Sequence, residues 1–123
     1  MGWQPDNIMI AKTPILFVQL QFDSPFDSPS LKISEELERA IDEDLREKNL
    51  GKLFTSDLVG NNYTMLFVIS DYPQGVEIIQ KAIENKKVKQ NIVIARRIYR
   101  SPFKWKYKIL HPKQTSLQFH ELK

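Results

Sequence analysis

PILFVQLQF, residues 14–22, opens on a proline and continues in residues that favour a pleated backbone. Side chains two apart on a strand share a face. Leu16, Val18, Leu20 and Phe22 therefore fall on one side, and Ile15, Phe17, Gln19 and Gln21 on the other. Both sides are apolar at first, and alternation returns only at the two glutamines. A strand of this kind belongs in the middle of a sheet with cover on both faces.

Met65-Leu66-Phe67-Val68-Ile69, apolar without a break, makes the same demand. Three parts can supply the cover: the amino-terminal segment 1–13 with Trp3, the carboxyl-terminal strands, or a second copy of the chain. A bare apolar sheet face is larger than monomers tolerate, which points to a homodimer through the sheet face or edge. The alternative is a monomer whose own tail, residues 111–123, folds across the sheet.

Working outward, DSPFDSPS at 23–30 has two Ser-Pro steps and reads as a loop. Ser34 then reads as a helix N-cap, with Ile33 as its staple and Glu35, Glu36 and Glu38 near the positive end. Leu37, Ala40, Ile41 and Leu45 recur on one helical face, and Asn49 and Gly51 stop it. Strands over 52–58 and 63–70 join through Gly60-Asn61-Asn62. Asp71 and Pro73 open a second helix carrying Val76, Ile79 and Ile83, which ends at 85–87. Strands follow over 91–99 and 103–110 with a Ser101-Pro102 turn, and 115–122 reads as a short edge strand.

The class is α+β. The order β-α-β-β-α-β, with helices on one face of an antiparallel sheet, resembles the ferredoxin-like superfold over roughly residues 14–99, with an added carboxyl-terminal strand or hairpin. The 123 residues make a single domain large enough to build its own core.

Cysteine is absent, so disulfides, thiolate metal sites and cysteine nucleophiles are excluded. Four glycines leave no phosphate loop or dinucleotide fingerprint. His111 and His120, the two histidines, lack the spacing of a metal site, and no metal, cofactor or catalytic residue is expected. His111 with Asp57, and Ser56, Ser70 and Asp71, remain as bare candidates for acid-base or nucleophilic work. No stretch is long enough to span a membrane and no leader pattern opens the chain, so the expected compartment is the cytoplasm.

Charge is divided along the chain. Residues 1–84 hold 7 Lys and Arg against 14 Asp and Glu, whereas 85–123 hold 11 against 1. Either the basic part meets an anionic partner, or the two parts attract one another in the fold or across a dimer.

SPFKWKYKIL, residues 101–110, alternates Lys104, Lys106 and Lys108 with Trp105, Tyr107 and Ile109. The plainer reading is an edge strand kept soluble by lysine. The functional reading joins these lysines to Arg96, Arg97 and Arg100 as a cationic patch beside Tyr99 and Phe103, the ingredients of single-stranded nucleic-acid or phosphate binding. The stretch 60–67 lacks the basic residue and second glycine of the RNA-recognition module. On the acidic helix, Glu38, Asp42, Glu43 and Glu47 are candidates for a basic protein partner.

With enzyme motifs missing, a non-catalytic protein-binding protein is the leading expectation. In size, architecture and charge partition the chain is similar to small bacterial immunity proteins, which implies a toxin domain as partner. The alternative is nucleic-acid or phosphate-ligand binding through the basic hairpin.

Overall fold

In the computed structural model the chain runs β1 (Ile15–Gln21), α1 (Ser28–Glu47), β2 (Gly51–Val59), β3 (Asn62–Ile69), α2 (Tyr72–Lys86), β4 (Asn91–Ser101) and β5 (Lys104–His111). Residues 14–23, 25–101, 104–112 and 118–120 are described, by backbone alone at 99–101, 104 and 105. Trp3 with the segment 1–13, Phe103, and the side chains of Tyr99, Arg100, Lys104 and Trp105 lie outside that description.

All pairings in the five-stranded sheet are antiparallel, and the order is β2-β3-β1-β4-β5. β1 is the middle strand, as its two apolar faces require. On one face Leu16, Val18 and Leu20 join Met65, Phe67, Ile92 and Ile94 beneath Leu37, Ile41 and Leu45 of α1 and Ile78, Ile79 and Ala82 of α2. On the far face Ile15, Phe17, Leu66, Val93 and Ala95 form a second buried cluster. Tyr107 and Ile109 of β5 and Phe119 of the tail pack against it. Of the three expected sources of cover, the carboxyl-terminal strand and tail reach the far face within one chain.

The first helix begins earlier than its pattern suggested. Asp27, not Ser34, is the N-cap: its carboxylate accepts from the Ser30 amide at 2.9 Å and the Ser30 hydroxyl at 2.7 Å. These bonds hold its carboxyl below the usual aspartate range, the hydroxyl bond contributing most. The Ser-Pro step read as loop is the first turn, where proline's missing N–H costs nothing. Ser34 lies buried in the helix, its hydroxyl donating to the Ser30 carbonyl at 2.9 Å. The first turn has no acidic residue, so the expected dipole role of Glu35, Glu36 and Glu38 is withdrawn. Of the edge strand expected over 115–122, residues 118–120 are not in a strand, and the others lie outside the described residues.

Both helices end alike. Asn49, with φ 54, turns left-handed while the Leu50 amide reaches back to the Leu45 carbonyl and the Asn49 amide to that of Arg46. Lys87, with φ 53, repeats this, with Val88 bonded to Ile83 and Lys87 to Glu84. Asparagine accepts a left-handed backbone readily, whereas lysine carries a Cβ penalty there. Gly51 starts β2 because a side chain would run into the Val68 carbonyl oxygen. Gly60, with φ 61, takes the first central position of the hairpin, where glycine is favoured. Lys87→Gly should therefore raise unfolding free energy by about 0.5 kcal/mol, since relief of strain exceeds the lost charge at the helix end. Urea denaturation checks this, and a loss of stability would contradict it.

Candidate anion-binding edge

β4 and β5 form the basic hairpin. Register sets Arg96 opposite Lys108, Ile98 opposite Lys106 and Arg97 opposite Tyr107. Because Ile94 enters the helix-side core, Arg96 faces the same way, and its guanidinium lies 4.2 Å from the centre of the Tyr72 ring at the start of α2. The Arg96 Nε is buried without a hydrogen-bond partner. Lys106 and Lys108 are exposed. Among the described residues no carboxylate pairs with Arg96, Lys106 or Lys108. Like charges opposite one another on a sheet repel, so the Arg96 and Lys108 pair is costly unless an anion joins it.

Arg97 faces the other way, its guanidinium 5.7 Å from the Phe17 ring. The expected single patch is therefore divided, with Arg96, Lys106 and Lys108 on the helix side and Arg97 on the far face. The Tyr107 ring is held between Phe17 at 5.4 Å and Phe119 at 4.8 Å, part of the far-face packing. Lys106 and Lys108 thus lie on the face opposite Tyr107, which shares its face with Arg97 alone of these cations, and this removes the ring as a stacking platform beside the lysines. Tyr72, the ring that does meet a cation here, had no signal in the sequence beyond its place after the Asp71 cap.

The acidic candidates are partly committed to the fold. Glu38 accepts from the Tyr63 hydroxyl at 2.9 Å. Asp42 accepts from the Leu53 amide on β2 at 2.8 Å and from Arg46 Nε at 3.0 and 3.1 Å. Glu43 and Glu47 remain exposed. α1 packs over β2 and β3, at the edge opposite the basic hairpin. Four interstrand spacings of about 4.8 Å place β2 and β5 about 19 Å apart. That exceeds the Debye length of about 8 Å at physiological salt, so the two charged poles do not neutralise each other within the chain.

The candidates for chemistry stand apart. His111 on β5 and Asp57 on β2 occupy opposite edges of the sheet. Nδ1 of His111 is 2.9 Å from Gln80 Nε2, and Asp57 accepts from the Leu58 amide at 2.8 Å. Ser56 bonds Tyr63, Ser70 bonds the Leu50 carbonyl, and Asp71 caps α2 through the Gln74 amide. Among the described residues no cluster of carboxylates and histidines could hold a metal ion, and no helix is long and apolar enough to cross a membrane. No family model, curated protein or solved structure matches the chain.

Tyr63 on β3 provides a readout of its contact with Glu38 of α1. Burial first, and then the bond and charge of Glu38, push its hydroxyl from the ordinary 10.0 up to about 12, against the lowering effect of Ser56. The folded state thus holds this proton more tightly than the unfolded state, so its stabilising share is complete below pH 10 and lost as pH rises through 12. The stability gap between the wild type and Tyr63→Phe, measured by urea midpoint, should narrow between pH 9.5 and about 11.5. A gap that widens would overturn this assignment.

Proposed function

We propose that the protein is a non-catalytic binding protein whose working surface is the helix-side face of the β4–β5 edge, and that its partner is an acidic protein surface. The observation that carries this is the unpaired cross-strand couple Arg96 and Lys108, with a buried Arg96 Nε that lacks an acceptor. An arriving carboxylate would offset the like-charge repulsion of the couple. The acidic pole is less suited, because Glu38 and Asp42 already serve Tyr63 and Leu53. Between the two protein-partner options, a basic or an acidic toxin-like domain, the second is preferred. Occlusion of such a domain is the mode of action proposed, as in immunity proteins.

We also read the β2-β3-β1-β4 part as a ferredoxin-like arrangement with β5 added at its edge. Support comes from the strand order and the antiparallel pairing throughout. Such a fold leaves β5 as a terminal strand whose cations face outward to a partner.

The test uses two labelled probes of equal charge, a glutamate-rich peptide and a single-stranded oligonucleotide, titrated into the wild type and Arg96→Gln/Lys106→Gln/Lys108→Gln at several salt concentrations. The expected result is peptide binding that weakens with salt and falls roughly tenfold or more in the triple variant. Tighter oligonucleotide binding lost in the same variant would replace the protein partner with nucleic acid. Binding of neither probe, or binding indifferent to the three substitutions, would overturn the proposal. Lys108→Glu separates binding from folding: it should stabilise the chain by about 0.5 kcal/mol through a cross-strand ion pair with Arg96 while abolishing peptide binding.

A further inference from the structure

The far face of the sheet carries a second feature, independent of the cationic edge. Gln19, 1% exposed, sits at the centre of β1 with its carboxamide fully engaged. Its Nε2 donates to Thr64 Oγ1 at 2.8 Å and to the His120 carbonyl at 2.7 Å. Its Oε1 accepts from the His120 amide at 3.0 Å and from Gln21 Nε2 at 3.0 Å. One side-chain amide therefore holds both main-chain groups of one residue, as the peptide of a neighbouring strand would.

Gln21 Nε2 donates as well to the Gln118 carbonyl, at 2.6 Å. Residues 118 and 120 are two apart, the spacing at which an extended chain points its main-chain groups the same way. Between them Phe119 lies against Phe17 at 5.4 Å and Tyr107 at 4.8 Å. Two glutamines thus imitate a strand edge, and two rings make a seat for a third. Through these bonds the main chain of the tail is read, together with one aromatic side chain.

We propose that this face is a docking site for an extended peptide bearing an aromatic residue with free main chain on both sides, and that Gln118–His120 is its displaceable intrachain occupant. The bonds among Gln19, Gln21 and Thr64 do not involve the tail. They hold the carboxamide in its reading orientation when the tail leaves, so an incoming main chain meets a prepared amide. A purely structural tail has no need of this arrangement, because an apolar pair of the same shape in place of Gln19 and Thr64 would close the sheet nearly as well.

The full chain carrying Phe119→Ala, which loosens the tail, is titrated with the labelled peptide SLQFHEL, copied from residues 116–122. Saturable binding is expected, at least about tenfold tighter than to the wild type, whose own tail competes at high effective concentration. Binding should vanish when alanine replaces phenylalanine in the peptide. It should weaken about tenfold when Gln19→Leu or the more exposed Gln21→Ala is added, the second guarding against a misfolded first. Failure of the peptide to saturate the Phe119→Ala chain, or binding that ignores the phenylalanine and both glutamines, would overturn the site. Self-association of the Phe119→Ala chain that shuts out the peptide would instead assign the face to a second copy, and overturn it too.

Discussion

The constraint on which the structure depends is that β1 buries both of its faces. Leu16, Val18 and Leu20 on one side and Ile15, Phe17 and Gln19 on the other are each at most 2% exposed. A strand this enclosed must have a neighbour on each edge, which β3 and β4 supply, and a layer above and below. The helices form one layer. The other is assembled from Tyr107 and Ile109 of the fifth strand, with Phe119 packed against Tyr107.

From this central strand the two edges follow with opposite characters. At β2 carboxylates close outward amides, Asp42 that of Leu53 and Asp57 that of Leu58, which blunts an edge otherwise open to strand addition. At β5 the protection is cationic, and it leaves Arg96 and Lys108 facing one another. The charge division along the chain becomes a division in space, with helix α1 at one side and the β4–β5 hairpin at the other. Surfaces of this kind steer an oppositely charged partner and orient its approach.

Much of the fold was legible because apolar periodicity and turn residues agreed. The unbroken run from Met65 to Ile69 and the doubled apolar start of β1 announced interior strands, and Asp71 with Pro73 announced α2. The start of α1 was hidden because a Ser-Pro step reads equally as loop or first turn, and only the Asp27 side chain decides. Tertiary partners were also invisible: the spacing of Arg96 and Arg97 gives them opposite faces, yet Tyr72 beneath Arg96 lies 24 positions away in the chain. Gln19 had a faint signal, since it is where alternation resumes, but its partner His120 lies 101 positions on. Contacts at such separations are set by topology, and no local pattern encodes them.

The central claim, that a single chain closes both faces of its middle strand, is tested most directly by native-state hydrogen exchange across β1 over about a hundredfold range of protein concentration. The account predicts that the amides of Leu16 to Leu20 exchange only through global unfolding, at a rate independent of concentration. Protection that grows with concentration would show that a second copy completes the far face, and would contradict it.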